Sequence, residues 1–478
     1  MQINYGENKS IDISVPQNCL VVNAPATEGV ETKQLLRQAL NAPLGLPGIK
    51  QCLTPDDTVT IALGGNIPHE GEVVAAVLEK LEEAGVQPEN ITLLSYGGKY
   101  RENAKESVSE SDAAESEFNG KIKRYVHYTD QPQAYTIVST TESGEPLAFV
   151  RPMVESDIII PIGVADALTN HSSGTSRFGV FSSIYPRYAM KDALSRFEHP
   201  ALFGLNRINS EDALPEDVQN NISHYRPTAL DEYMDLEDMS RRRWEKVAGI
   251  ADPRAKKIYS NARTDSEDPF EGKTSAEIRE LLYNETQAAG WELGVVMLME
   301  VVPGAGNSLA KVFFGLPAEV EKDVNNFIQT HNKALDKAAI SGIGKLKFNR
   351  KPAKILCAFN APRNCQSWAN AVETLEAAAE KGTDGCPLFF CGDVSEPLGK
   401  GFQFLSEADS FLAGNKAAIS AALFNENFED SLAALRWIRL VEFHKIFWMS
   451  NLSDEIIESL GGTPVKNGEE MERILNSY

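Results

Sequence analysis

Short apolar runs that end in glycine are the most regular feature of this 478-residue chain. Asp57–Leu63 is rich in β-branched residues and stops at Gly64-Gly65, and Ile91–Tyr96 stops at Gly97-Gly98. Between the two runs, Glu72–Ala84 carries its valines and leucines at the spacing of one helical face. A strand, a helix and a second strand in this order predict a parallel sheet, because such crossovers are almost always right-handed βαβ units. Both glycine pairs then lie at one sheet edge, where ligands bind in α/β proteins.

The same pattern recurs later in the chain. Ser156–Gly163 is a third apolar run that ends in glycine, and we expect it to join the first two strands. Ala353–Phe359 and Cys386–Cys391 enclose a helical pattern at Gln366–Lys381, which predicts a second α/β unit. The expected fold is therefore α/β, with two domains whose mostly parallel sheets face a central cleft.

The predicted domains are residues 1–335 and residues 336–478. Residues 199–273 interrupt the first one with weak periodicity, several prolines and charged runs such as Arg241-Arg242-Arg243. We interpret this segment as an elaboration of the domain, and a lid and an oligomer contact are both open as its role.

Three further elements are predicted around these units. Gln2–Tyr5 and Ile11–Val15 form a strand pair, and Leu293–Val302 pairs with Ala310–Gly315 across a Pro-Gly turn. The apolar spacing near the end of the chain predicts a helix over Leu432–Trp448.

Charge and composition narrow the range of partners. The net charge is −22 and the pI is near 4.9, which argues against nucleic acid or an anionic membrane surface as partner. No apolar run approaches the ~18 residues of a membrane span, and the N-terminus lacks the basic start of a signal peptide. We expect a cytoplasmic protein with reduced thiols, and a homo-oligomer is left open.

Three of the six cysteines are candidate metal ligands. Cys357, Cys386 and Cys391 are soft ligands of the kind that nickel or zinc accepts. The five-residue spacing of the last two places them on opposite faces of a strand, and the chain has no CxxC pair. Buried structural thiols are the preferred interpretation, and no metal ligand is predicted.

Candidate chemical groups follow the predicted strands. Lys99 and His171 are the candidate catalytic residues, because a desolvated lysine or a histidine can transfer protons. Arg101, Arg177 and Asn66 are the candidate substrate-binding residues, because arginine binds carboxylates through two parallel hydrogen bonds. The alternative for His171 is an ordinary surface residue in a capped turn.

The glycines form the remaining part of the predicted site. Gly64, Gly65 and Gly97 are candidate cofactor-binding residues, because glycine lets another group approach the backbone closely. Together with the basic residues they predict a crevice for a small anionic metabolite.

Several segments resemble the lactate racemase family. They are Leu40–Gly48, Gly85–Thr92, Ser156–Gly163 and Gly401-Phe402, and the resemblance covers most of the chain outside 199–273. It implies two α/β domains that face a cleft. It also implies racemisation or epimerisation of a 2-hydroxy acid, with a nickel-pincer nucleotide tethered to a lysine and two histidines exchanging the hydroxyl proton.

The chemical residues of that family differ here. The family's Asp-x-Thr-Arg-Pro segment is Gly64-Gly-Asn-Ile-Pro68, Lys99 stands nearest to an expected histidine, and Phe178 stands near the tethering lysine. No lysine occurs between Lys123 and Lys191. The cofactor is therefore left unknown, and two functions are expected. One is a racemase or epimerase of a 2-hydroxy or sugar carboxylate, and the other is a cofactor-free homologue that binds an anionic metabolite without redox chemistry.

Overall fold

The structure is a computed structural model. It describes residues 2–6, 9–16, 18–22, 31–65, 67–98, 121–129, 131–140, 146–165, 179, 181–189, 193, 196–199, 202, 270, 272–304, 308–342, 352–359, 366–411, 419–420, 423 and 430–478.

The described strands are β1 (Gln2–Tyr5), β2 (Lys9–Asp12), β3 (Cys19–Val22), β4 (Val59–Leu63), β5 (Ile91–Gly98), β6 (Lys123–Tyr128), β7 (Tyr135–Thr140), β8 (Pro146–Val150), β9 (Ile158–Val164), β10 (Leu298–Pro303), β11 (Leu309–Gly315), β12 (Lys354–Ala358), β13 (Leu388–Cys391), β14 (Ile446–Met449) and β15 (Thr463–Pro464). The described helices are α1 (Thr32–Asn41), α2 (Ile49–Cys52), α3 (Glu70–Ala84), α4 (Arg151–Val154), α5 (Tyr185–Tyr188), α6 (Ser275–Glu292), α7 (Pro317–Gly342), α8 (Trp368–Glu380), α9 (Lys400–Phe411), α10 (Ser431–Phe443), α11 (Asp454–Ser459) and α12 (Gly468–Ser477).

The first sheet has the strand order β11-β10-β9-β4-β5-β6. Its strands are parallel except β11, which forms the predicted antiparallel hairpin with β10. Successive residues of β4 pack into two different cores, Ile61 on one face and Ala62 on the other. A sheet that is covered on both faces explains why its strands are continuous apolar runs rather than alternating ones.

The predicted common edge of the first three strands is confirmed. β4, β5 and β9 are parallel neighbours, so Gly64 and Gly163 lie at their carboxyl ends and Gly97 lies at that end of β5. The Gly64 amide continues the ladder by donating a 2.8 Å hydrogen bond to the carbonyl oxygen of Ile162. The segment that sequence analysis placed at the ligand-binding edge is therefore at that edge.

The second sheet has the order β15-β14-β13-β12-β3, and all its strand pairs are parallel. Its strand β3 comes from Cys19–Val22, which sequence analysis assigned to the first domain. These residues pair with β12 because they are an isolated apolar strand that completes an otherwise open edge. The strand pair β1–β2 packs through Ile3 into the core of this second sheet. The other predicted domain limits and the central cleft stay predictions.

Two predicted elements need correction. The helix predicted over Leu432–Trp448 ends at Phe443, and Ile446–Met449 forms the parallel strand β14. All four residues of that strand are buried, so burial in the sheet overrides the helical spacing. The strand predicted from Leu293 begins at Leu298, because α6 continues to Glu292 before the chain turns.

Helix α6 begins at a capping box. Thr274 and Glu277 form a reciprocal capping box, in which each side chain binds the backbone amide of the other residue. The helix is thereby fixed over the first sheet, where Ile278 and Leu282 are completely buried. The described helices include none that is long and apolar enough to cross a membrane.

Candidate functional site

Residues 181–189 lie across the carboxyl ends of β4 and β5. The completely buried Tyr188 holds this segment, because its hydroxyl lies 2.6 Å from the carbonyl oxygen of Leu63 and 3.2 Å from that of Leu94. Burial raises the pKa of Tyr188, so the phenol remains protonated and able to donate. The last residue of β4 and a residue in the middle of β5 are thus tied to one short segment.

A second tyrosine fixes the same segment from the helical layer. The Tyr185 hydroxyl donates to Glu285 of α6, and Arg196 forms an ion pair with the same carboxylate. Burial, followed by the neighbouring Glu285 charge, raises the pKa of Tyr185. Residues 183 and 187 are therefore presented to the sheet edge by a firmly held segment.

Arg187 lies beside the first glycine pair. A side chain at Gly65 would place its Cβ 3.7 Å from the Arg187 guanidinium carbon, and Gly65 has a φ of +77°, which favours glycine. Nη1 of Arg187 donates a 2.8 Å hydrogen bond to the carbonyl oxygen of Ser183. Within the described part of the chain, Arg187 has no acidic side chain at ion-pair distance. This half-buried guanidinium has the chemistry to bind an anion, although the protein has a net charge of −22.

Glu300 is the least expected group near this edge. It lies in β10 directly beside Gly163 of β9, and it is 1% exposed. Neither of its carboxyl oxygens has a hydrogen-bond partner in the described structure, and the same is true of the buried Ser183 hydroxyl. Burial, and then the charge of Glu321, raises the pKa of Glu300 well above its ordinary value.

His127 lies in β6, the strand next to β5, and is completely buried. Its Nε2 is 3.0 Å from the Tyr135 hydroxyl, and its Nδ1 has no partner in the described structure. Burial lowers the pKa of His127 to about 4, so the imidazole is neutral at physiological pH. With Tyr188 at a ring distance of 6.1 Å, it belongs to the aromatic packing behind the site.

Five of the eight predicted site residues lie outside the described part of the chain. Asn66, Lys99, Arg101, His171 and Arg177 lie outside the described residues, so their roles remain predictions.

The predicted glycines are all described. Gly64 and Gly65 lie at the edge, next to Ser183 and Arg187 respectively. Gly97 packs against the ring of Tyr128, so a side chain at this position would collide with that ring.

Sequence reasoning missed Ser183, Arg187 and Glu300. A signal existed for the last of these, since Glu300 is the single charged residue within the apolar strand Leu298–Val302. An isolated acid in a buried strand is rare enough to mark a special position. Arg187 gave no comparable signal, because its place at the edge depends on tertiary hydrogen bonds of Tyr188.

Comparison with known proteins adds to this geometry. Residues 5–174 match the family model of the lactate racemase N-terminal domain. This part of the chain is therefore of the lactate racemase N-terminal type. No curated protein matches it.

Two solved structures are similar to this chain. The apoprotein of lactate racemase from Thermoanaerobacterium thermosaccharolyticum matches with a TM-score of 0.60 at 14% identity, over 100% of this chain and 94% of that one. A Thermotoga maritima protein from a structural genomics programme matches with a TM-score of 0.42 at 11% identity, over 91% of each chain. The first match shows a common fold.

The family's nickel-pincer nucleotide does not fit the groups described at this edge. Its attachment needs an amine, whereas Arg187, Ser183 and Glu300 offer a guanidinium, a hydroxyl and a carboxyl group. The sequence has no lysine from residue 124 to residue 190.

The thiols also fit the structural interpretation. Cys357, Cys386 and Cys391 are buried, and burial raises the pKa of Cys391 to about 12, so that it remains a protonated thiol. Cys386 and Cys391 pack into different cores of the second sheet. The described residues contain no group of three or more histidine, cysteine or acidic side chains arranged to hold a metal ion.

Proposed function

We propose that this protein is a racemase or epimerase of a 2-hydroxy or sugar carboxylate, acting in the cytoplasm on a small anionic metabolite. The single observation that supports it most is Arg187, a guanidinium without an acidic partner among the described residues, beside Gly65 at the carboxyl edge of the sheet. This edge belongs to a chain with the lactate racemase fold. Nucleic acid and membranes are not among the proposed partners.

Arg187 would bind the substrate carboxylate. A guanidinium can form two parallel hydrogen bonds with a carboxylate, which fixes the orientation of the acid as well as its position. One nitrogen of Arg187 is already held by the Ser183 carbonyl oxygen, so the group is oriented before the ligand arrives. Orientation before binding reduces the entropy that binding must remove.

The proton-transfer groups in this proposal are Lys99 and His171. They follow strands β5 and β9, whose carboxyl ends lie on either side of β4 at the same edge. Their assignment depends on the sequence, as does that of Arg101, Arg177 and Asn66 as further substrate-binding residues. In a racemase, one group removes a proton from one face of the substrate and the other returns a proton to the opposite face.

The test is stereochemical scrambling and solvent deuterium incorporation across a panel of 2-hydroxy and sugar acids. We expect turnover of at least one acid and its loss in Arg187→Met. Arg37→Met is the matched control, because Arg37 is an exposed arginine on α1. An unaltered protein that scrambles no acid, with or without cofactor extract, contradicts the proposal.

A cofactor-free homologue that binds an anionic metabolite is the second candidate. The absence of a lysine from residue 124 to residue 190 favours it, because it removes the tether near Phe178. Metal analysis after co-expression with the cofactor-synthesis enzymes separates the two candidates. Stoichiometric nickel would refute the cofactor-free homologue, whereas metal-free protein that binds acids without scrambling them would support it.

A further inference from the structure

The carboxyl group of Glu300 lies over Gly163. A methyl group at Gly163 would overlap Oε1 of Glu300 and would lie 2.5 Å from Oγ of Ser183. The same Ser183 oxygen would lie 3.1 Å from a methyl group at Gly64. Glu300 and Ser183 therefore meet where the two glycines at the ends of β9 and β4 leave room for them.

These polar atoms are left without partners inside the protein. Both oxygens of Glu300 and the hydroxyl of Ser183 are buried, and none of the three has a hydrogen-bond partner in the described structure. Buried polar groups are nearly always paired, because an unpaired one costs about 1–3 kcal/mol. A chain that retains three such atoms side by side has a reason other than stability.

The groups around Glu300 determine whether its carboxyl group is protonated. The described charged group that acts on it is Glu321 of α7, whose negative charge disfavours a second carboxylate. Glu321 is itself held by the Tyr283 hydroxyl at 3.1 Å and by the Gln287 amide at 3.4 Å. A carboxylic acid in this setting keeps its proton, and it can then donate one hydrogen bond and accept another.

We propose that Glu300 and Ser183 form a hydrogen-bonding pair that binds the hydroxyl group, or the matching carbonyl oxygen, of a small oxyacid whose carboxylate is bound by Arg187. The proton stays on Glu300, so the pair positions the ligand and transfers nothing. A hydroxyl group needs one donor and one acceptor, and a protonated carboxyl group beside a serine supplies both. The ligand class depends on the proposed function, whereas the protonated state of Glu300 does not.

A cation at this place fits the residues less well. Hard cations take six or more oxygen ligands, and often more than one carboxylate. Glu300 is the one carboxyl group that the described structure places against Gly163. The nearby carbonyl oxygen of Ile162 already accepts from the Gly64 amide. A hydrogen-bonding pair therefore explains the geometry without the further oxygen ligands that a cation would need.

The first experiment measures the ionisation of Glu300 in the ligand-free protein. Carbon-13-labelled glutamate side chains are followed by NMR from pH 4 to pH 9, and the Glu300→Gln spectrum assigns the signal. We expect Glu300 to remain protonated at pH 7, and Glu321→Gln to raise its acidity. An ionised Glu300 at pH 7 overturns the inference, whatever ligand the protein binds.

The second experiment compares lactate with propionate, which lacks the hydroxyl group. Calorimetry with the unaltered protein should show lactate binding about tenfold more tightly or better, because a site built for a hydroxyl rejects an analogue without it. Glu300→Leu and Ser183→Ala should lose this discrimination. Glu300→Gln, which still donates and accepts, should retain most of it, and the exposed Glu280→Leu is the control.

The outcomes separate this inference from the proposed function. Protonated Glu300 with discrimination lost in Glu300→Leu supports both. Discrimination that is unchanged in Glu300→Leu overturns the pair while the proposed function stands. If neither acid binds to the unaltered protein, the proposed function fails for this ligand class and the ligand role of the pair fails with it. Thermal unfolding of each variant shows whether it is folded.

Discussion

Buried charged groups differ between the two sheets in whether they have a partner. Around the second sheet, each buried charged group among the described residues has a partner. Nζ of Lys354 donates to the carbonyl oxygen of Leu475 at 2.7 Å, Asp393 pairs with Lys9 at 2.6 Å, and Arg436 pairs with Glu376 at 2.5 Å. In the first sheet Glu300 is buried to the same degree, and its carboxyl group has no partner in the described structure.

The difference in pairing indicates whether a buried charged group has a structural or a functional role. A buried charge that is paired contributes to the architecture, because removing one partner leaves the other uncompensated. A buried acid that is unpaired lowers stability and is retained for another purpose, as binding and catalytic groups often are. The second sheet is accordingly the structural half of this comparison, and the carboxyl edge of the first sheet is the functional half.

The largest expected effect is in the second sheet. Arg436→Ala should lower the free energy of unfolding by about 3–5 kcal/mol, because it leaves Glu376 partly buried without its cation. Urea unfolding at pH 7 measures this loss. The double variant Arg436→Met with Glu376→Leu should recover most of it. A loss below about 1 kcal/mol in Arg436→Ala would show that the pair behaves like a surface salt bridge.

The next largest effect is the acid sensitivity of the first sheet. The pKa of His127 is about 4 in the folded protein and 6.5 as a free side chain, so between these values only the unfolded state binds the proton. Stability is therefore full above about pH 6.5 and falls by about 3 kcal/mol as the pH approaches 4. His127→Gln should remove this part of the pH dependence while keeping the hydrogen bond to Tyr135. Identical urea midpoints for both proteins across this range would contradict the assignment.

Glu300 should show a pH dependence of the opposite sign. Its pKa is raised from 4.5 in the folded protein, so its contribution to stability is full below about pH 4.5 and decreases as the pH rises. Glu300→Met should therefore be more stable than the unaltered protein at pH 8, by about 1–3 kcal/mol. Thermal unfolding at pH 5 and pH 8 measures the difference. A variant that is less stable at both pH values would show that Glu300 is a structural group.

Arg187 should have the smallest effect on stability. Arg187→Met removes one hydrogen bond to a carbonyl oxygen and no ion pair of the described structure, so the free energy of unfolding should change by about 1 kcal/mol or less. Lactate affinity should nevertheless fall at least about tenfold, since a hydrogen-bonded charge contributes about 1.5–3 kcal/mol. Calorimetry and urea unfolding of the same preparation test both parts. Unchanged lactate affinity would indicate that Arg101 or Arg177, and not Arg187, binds the carboxylate.

Local pattern was sufficient for most of the first sheet. β-branched runs followed by glycine predicted that β4, β5 and β9 lie in one parallel sheet, because continuous apolar runs are typical of strands that are covered on both faces. Pattern failed at Ile446–Met449, where four apolar residues directly after a helix continue its spacing. It also failed at Cys19–Val22, because pairing with a strand more than 300 residues away leaves no local signal.

The position of the candidate site could be predicted from the sequence, but the identity of several of its residues could not. The edge followed from topology, and Gly64 and Gly65 were found because glycine at a strand end is a local feature. Ser183 and Arg187 reach the edge only because Tyr188 ties their segment to the carbonyl oxygens of Leu63 and Leu94. That contact joins residues far apart in the sequence, which a reading of local pattern cannot supply.

The most direct test of the functional half is methyl NMR during a lactate titration. Leu63 and Ile162 report on the carboxyl edge of the first sheet, and Leu388 and Ile446 report on the opposite ends of strands in the second sheet. We predict that the Leu63 and Ile162 signals shift along one saturation curve, which Arg187→Met weakens, while the Leu388 and Ile446 signals stay in place. Shifts confined to Leu388 and Ile446, or no shift at any lactate concentration, would contradict a ligand site at this edge.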